Sequence, residues 1–301
     1  MAISRGQLVK ELEPGLNALF GLEYKRYENQ HLEIYEVESS ERAFEEEVML
    51  SGFANAAVKP EGSGVTFDNA QETFTARYTH ETIALAFAIT EEAIEDNLYD
   101  RIASRYTKAL ARSMANTKQV KGANVLNNGF DTNYQGGDGS PLFSTSHPTI
   151  AGSFSNTLAT QADLNETSLE QAIIDIAALT DERGLKIAAR PVKAIVPPEL
   201  QFTSERLMKS EGRTGTANND INAIKSMGMV PQGYTVNNFL TDPDAWFLRT
   251  DVPNGMKMFL RAPIKTSMEG DFDTGNVRYK ARERYSFGWS DPRGIFGSQG
   301  A

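Results

Sequence analysis

One helical run constrains this chain more than any other feature. From Thr90 to Thr117 it reads TEEAIEDNLYDRIASRYTKALARSMANT, with Ile94, Leu98, Ile102, Tyr106, Leu110 and Met114 at every fourth position. Thr90 fits an N-cap, and Glu91 and Glu92 put carboxylates in the first turn, where the helix dipole favours them. At the usual rise per residue the run spans roughly 40 Å. Four residues overshoot a 3.6-residue turn, so the apolar stripe winds round the helix and meets different partners along its length. That is the pattern of a long helix crossing a sheet.

The segment before the helix has the opposite character. From Gly52 to Ile89 short alternating runs flank the turn-forming KPEGSG, with Phe67, Phe74, Ala76 and Tyr78 at strand-like intervals and Lys59, Glu61 and Arg77 among them. There is too little apolar material for an independent core, which predicts a long two-stranded arm that needs another surface to lie on. Upstream, Leu16, Leu19, Phe20 and Leu22 predict a short helix over Pro14–Tyr27, and Leu32, Ile34, Tyr35 and Val37 a strand. Glu45, Glu46 and Glu47 form an acidic cluster that is either a solvated face or a charge partner for a neighbouring subunit.

Downstream, residues 122–157 are rich in loop formers, and the text then alternates. LNETSLEQAIIDIAALTDERG reads as a capped amphipathic helix, VKAIVPP as a buried strand, and PELQFTSERLMKS as a helix opened by proline. YTVNNFL, AWFLRTD and MKMFLRA read as further strands, with EGRTGTANNDIN a polar loop between. Near the end, Val277, Tyr279, Ala281, Tyr285, Phe287 and Trp289 alternate as one strand face. The opposite face carries Arg278, Lys280, Arg282 and Arg284, with Glu283 an exception on the apolar side. Such a row suits acidic groups of an adjacent subunit better than DNA phosphates, because 30 basic and 40 acidic residues give a net charge of -10.

Composition excludes several chemistries. The chain has 301 residues and no cysteine, so it has no disulfide, thiolate metal site or cysteine nucleophile. Its start lacks the layout of a secretion signal and no apolar run reaches membrane-spanning length, which predicts a protein made and used in a cytoplasm. His31, His80 and His147 are far apart, and DTNYQG, which opens like a calcium loop, has Leu142 where a bidentate glutamate is required. No phosphate-cradling glycine motif is present. The stretch GDGSPLFSTSHPTI gathers Asp138, Ser144, Ser146 and His147, which suggests a hydrolase. However, neighbours on an extended chain point to opposite sides, and triads draw their members from separate segments. A turn held by Asp and Ser side chains is the reading favoured for it.

In order and content the elements resemble the major capsid proteins of tailed bacteriophages, with the Hong Kong 97-type fold, and within them the Mu-like head subunits. The residues that carry the resemblance are AFAITEEAIEDNLYDRIASRY, GDGSPLFSTSHP, VKAIVPPEL and KARERYSFGWSDPRGIFGS. It implies an α+β capsid fold divided into an N-terminal arm (1–43), an extended β-arm with its base (44–84), a peripheral domain with a spine helix (85–159), an axial domain (160–261) and return strands of the peripheral domain (262–301). It also implies a non-enzymatic protein without cofactor, assembling with itself into pentamers and hexamers of an icosahedral shell in the host bacterial cytoplasm. The shell encloses double-stranded DNA without binding it specifically, and has no membrane. Portal, a separate scaffold and a decoration protein are its expected partners. Intersubunit contacts are expected from Glu45, Glu46, Glu47, Lys59, Glu61, Phe67, Phe74, Arg77, Tyr78, Arg213, Asn218, Asn219, Arg278, Lys280, Arg282 and Arg284. The alternatives are an encapsulin-like cargo shell of the same fold and a hydrolase using the Ser144/Ser146/His147 loop. Glycines 52, 62 and 64, and 136, 137 and 139, are candidate hinges.

Overall fold

Two four-stranded sheets take up most of the strand-forming text. A computed structural model describes residues 5–90, 92, 99–213, 220–271 and 275–301. The chain opens with α1 (Arg5–Arg26), a short 3-10 turn at Gln30–Glu33, β1 (Glu36–Ser39) and β2 (Phe44–Leu50). β3 (Glu72–Thr79), β4 (Glu81–Ile89) and the long helix α2 (Tyr99–Asn127) follow. A small hairpin of β5 (His147–Thr149) and β6 (Gly152–Phe154) precedes α3 (Glu166–Ala177), β7 (Pro191–Val196), α4 (Gln201–Lys209) and α5 (Ala223–Ser226). The remaining strands are β8 (Tyr234–Val236), β9 (Trp246–Thr250), β10 (Met256–Gly270), β11 (Val277–Trp289) and β12 (Ile295–Ser298).

The first sheet runs β1-β10-β11-β4, with β1 parallel to β10 and the other pairs antiparallel. The alternation of β11 sets its two faces. Val277, Tyr279, Ala281, Glu283 and Tyr285 are buried, while Arg278, Lys280 and Arg282 are exposed. On the inner face Leu16 and Phe20 of α1 and Leu110, Ala111 and Met114 of α2 pack with Tyr279 and Ala281. Glu283, the apparent exception in the apolar pattern, is compensated there. Lys118 of α2 donates to one of its oxygens, and the Tyr24 hydroxyl of α1 donates to the other at 3.2 Å. The Lys118 ammonium also lies 5.2 Å from the Tyr285 ring centroid. One buried carboxylate therefore ties both helices to the sheet.

Helix α2 continues past Thr117, whose hydroxyl donates to the Ser113 carbonyl at 2.9 Å within the helix; Ala123 and Leu126 carry the buried stripe onward to Asn127. The winding expected of its apolar positions is visible: Tyr106 is exposed, whereas Leu110 and Met114 are buried. Glu91, Ile94 and Leu98 lie outside the described residues. Leu32–Val37 is not one strand, as its sequence suggested. The Ile34 and Tyr35 amides both donate to the His31 carbonyl, turning the chain so that both side chains plug the core, and pairing begins only at Glu36.

The second sheet runs β12-β9-β7-β8. α3 packs on it through Leu169, Ala172, Ile173 and Ile176, and its start is fixed by a reciprocal cap between Asn165 and Ser168. A central cluster joins the sheets: Phe143 stacks on Phe247 at 5.2 Å and shares its core with Tyr35, Leu126, Met258, Tyr285 and Ile295. Two boundaries differ from those expected. The ladder of the arm ends at Thr79, short of the expected 84, because His80 is buried between the Ser40 and Ser286 hydroxyls (2.8 and 2.9 Å) and β4 beyond it pairs with β11. The last segment does not return wholly to the first sheet, since β12 pairs with β9 in the second.

Removing one partner of the Lys118–Glu283 pair strands a buried charge. Lys118→Met is expected to cost about 3–5 kcal/mol of unfolding free energy. Lys118→Met combined with Glu283→Leu should recover most of that in urea denaturation of unassembled subunits. His31 supplies a pH signature. Burial first, and then the nearby Lys118, hold its pKa down at about 4, while a hydrogen bond with Gln119 opposes them. The folded ring therefore stays neutral where the unfolded one takes a proton, so its contribution is complete above about pH 6.5 and lost as pH falls toward the folded value. His31→Phe should flatten the fall in urea midpoint between pH 7 and pH 5 relative to the parent chain.

Candidate functional site: the arm and the basic sheet face

The arm leaves the body as an antiparallel ladder of β2 and β3, from Phe44↔Thr79 to Leu50↔Glu72. Its base is anchored by groups that sequence reading did not single out. Lys257 on β10 is buried and pairs with Glu47 and, at 2.9 Å, with Glu38. Burial works against the Lys257 charge, and the two carboxylates outweigh it, leaving its pKa raised. Ser290 donates to the other oxygen of Glu47 and also contacts the Tyr78 hydroxyl. The Tyr78 ring packs on Phe259, centroids 4.7 Å apart. Nothing local in the sequence marks Lys257, which opens an apolar strand, or Ser290.

These contacts relocate several residues expected to face a neighbour. Tyr78 is buried in its own chain, Glu47 is held by Lys257, and Glu45 accepts from Ser40 at 2.7 Å. Glu46 pairs with Arg77 at 3.8 Å, and the Arg77 guanidinium lies 4.1 Å over the Phe44 ring. The acidic cluster is thus neither a bare solvated face nor an unpaired one. Arg77 of β3, Lys257 of β10 and the hydroxyls of Ser40 and Ser290 are brought against it. Phe74 is half-buried at the same base.

Beyond Ser51 the character changes. Gly52 adopts φ +65°, a left-handed turn that a side chain would strain, and every residue from 53 to 72 is exposed. Phe67 is 94% and Val58 93% exposed, and Phe53 and Val65 are also open. The limbs are not strands as expected; they are irregular, joined at their root by Ser51 N–H donating to the Gln71 carbonyl at 2.9 Å. Lys59 and Glu61 have no ion-pair partner among the described residues. The limb meets the rest of the chain at Arg183, which donates to the Asn69 carbonyl at 2.7 Å and lies 3.9 Å from Asp68. Asp68 accepts from the Ala54 and Asn69 amides, which hold its pKa below the usual carboxylate value. Two of the second trio of candidate hinges are tightly packed: a side chain at Gly136 would meet the Trp289 ring and one at Gly137 the Thr75 backbone, whereas Gly139 lies in open space with φ +75°.

The cationic row stands as a face. Arg278 pairs with Asp271, Lys280 and Arg282 have no ion-pair partner among the described residues, and Arg284 is half-buried. Lys265 of β10 lies opposite Arg282, and Ala88, Ala86, Ala84 and Thr82 of β4 lie opposite Arg278, Lys280, Arg282 and Arg284. Elsewhere, Arg213 donates to Glu166 in the first turn of α3 at 2.8 Å. Asn218 and Asn219 lie outside the described residues.

The Ser/His stretch is built into the core. His147 is buried, with Nδ1 2.6 Å from Asp138 and Nε2 3.1 Å from Asn156 Oδ1. Asn156 in turn donates to the Leu142 and Pro292 carbonyls at 2.7 and 3.0 Å, and Leu142 and Phe143 are core residues. Both ring nitrogens are engaged, neither with serine, so the ring offers no base to Ser144 or Ser146. Among the described residues no group of His, Asp and Glu could hold a metal ion, and no helix is long and apolar enough to cross a membrane.

Comparison with known proteins agrees with this architecture. The profile of a family described as phage capsid protein matches residues 72–297. No curated protein sequence matches the chain. Among solved structures, the capsid of an empty GTA particle is 15% identical with a TM-score of 0.56, over 91% of each chain. The procapsid of bacteriophage JBD30 is 14% identical with a TM-score of 0.55, over 98% of this chain and 76% of that one. A virus-like particle from Pyrococcus furiosus is 10% identical with a TM-score of 0.55, over 94% and 97% of the two chains. These likenesses show the Hong Kong 97-type fold. With three quarters of its length matched, the chain belongs to the phage capsid protein family and is a major capsid, shell-forming protein of the tailed-bacteriophage type.

Proposed function

We propose that copies of this chain close into the icosahedral head of a tailed bacteriophage as pentamers and hexamers, each completing its arm on a neighbour. The observation that carries this reading is the uninterrupted exposure of residues 53–72, a run that includes Phe53, Val58, Val65 and Phe67. Burying Phe53, Val58, Val65 and Phe67 on another copy is worth about 1.5–3 kcal/mol for each side chain. That is modest per contact but is multiplied over a closed shell, where each copy both gives and receives an arm. The anchored base keeps the arm's root fixed while the Gly52 turn aims the rest.

In this reading the first sheet and α2 form the peripheral part, and the elements from α3 to β9 the axial part. Lys59, Glu61 and Phe67 of the arm, and Lys280 and Arg282 of the sheet, are the contact residues with free side chains. The net charge of -10 suits a wall that encloses DNA without adhering to it. Assembly takes place in the host bacterial cytoplasm with a portal, a separate scaffold protein and, where one is used, a decoration protein. A cargo-enclosing shell is not favoured, because the family match is to phage capsid proteins.

Replacing residues 54–67 by a two-glycine bridge tests the reading. Subunits should keep the urea midpoint of the parent chain yet give no hollow particles by negative-stain microscopy. Intact particles from the shortened chain would refute an assembly role for the arm.

A further inference from the structure

Strand β4 is an outer strand of its sheet. It pairs with β11 without a register shift from Glu81 to Ile89 and, among the described residues, with no second strand. Outer strands present unpaired amides and carbonyls, and proteins ordinarily guard them with lysine, proline, a bulge or brevity. β4 reads ETIALAFAI over nine residues and has none of these guards. An edge this long and flat is a template for a strand from another chain.

Its two sides set what that strand must look like. On one side Thr82, Ala84, Ala86 and Ala88 are exposed and small, and each stands directly opposite a member of the cationic row of β11 in the ladder. On the other side Leu85 is 46% exposed, and half-buried Phe87 lies against the exposed ring of Tyr106, centroids 5.8 Å apart. A matching strand would alternate apolar residues toward Leu85 with polar or acidic residues toward Lys280 and Arg282.

The arm contains a segment with that pattern. In Val65–Asp68 the period of an extended chain puts Val65 and Phe67 on one side and Thr66 and Asp68 on the other. No backbone group of these residues is hydrogen-bonded among the described residues, and both apolar side chains are open to solvent. The limb cannot serve its own β4 from where it stands, because Arg183, beyond the first sheet, holds it at Asn69. Resting on the reading of the chain as a shell subunit, we propose that Val65–Asp68 of one copy adds as a fifth strand to the free edge of β4 in a second copy. Phe67 then covers Leu85 and Tyr106, and Asp68 faces Arg282 and Lys280.

The absence of native cysteine makes the test direct. Phe67→Cys is combined in turn with Ile83→Cys, Leu85→Cys and Phe87→Cys, and assembled particles are oxidised and run on a non-reducing gel. Directly opposed residues of neighbouring strands have Cα atoms about 4.5–5.5 Å apart, within disulfide reach. One of the three pairs should shift the chain from a monomer band to a ladder of linked copies that collapses on reduction, with each single variant remaining a monomer. An intrachain bond cannot give a ladder. Particles that form with all three pairs and stay monomeric on the gel would overturn the docking while leaving the shell reading intact; a parent chain that never forms particles would remove the shell reading itself.

Discussion

The arm beyond Ser51 has no interior of its own, and much of the molecule is arranged to hold it out. A flexible excursion with four open apolar side chains is ordinarily a liability, since exposed hydrophobic surface invites indiscriminate association. Here the liability is directed. The ladder of β2 and β3, Tyr78 against Phe259, and Lys257 between Glu38 and Glu47 fix the root of the arm on the first sheet, so its reach has a defined origin. Disordered surface alone could not give one repeatable contact, whereas a short limb on a rigid root can.

Two buried lysines perform related tasks at opposite faces of that sheet. Lys118 meets Glu283 and thereby fastens α1 and α2 to the inner face; Lys257 meets the carboxylates of the arm base. Buried ion pairs add little net stability compared with apolar packing, but a broken one is costly, so each of these specifies a single arrangement of the elements it joins. The core cluster around Phe143 does the same between the two sheets by packing alone.

Patterns that depend on one element were legible in the sequence. The alternation of Val277–Trp289, the cap and stripe of α3, the buried strand at Pro191–Val196 and the winding face of α2 all follow from periodicity, and each is present. The family resemblance supplied the order in which they combine. What sequence could not reveal depends on partners far along the chain. Glu283 looked like a flaw in an apolar face because Lys118 and Tyr24 stand far upstream of it. The Glu45–Glu47 cluster looked available because Lys257, Ser40 and Arg77 come together with it only in the folded chain. The Ser/His stretch suggested chemistry until Asp138 and Asn156 were seen to occupy both nitrogens of a buried ring.

The central claim is that residues 53–72 gain their structure from another copy. Hydrogen–deuterium exchange of free subunits and of assembled particles tests it most directly. Amides of the outer limb, Val65–Phe67 above all, should exchange nearly as fast as those of an unfolded chain in the free subunit and become strongly protected in particles, while α2 and β11 change little. Protection of the arm already present in the free subunit, or no gain of protection in the shell, would contradict the account.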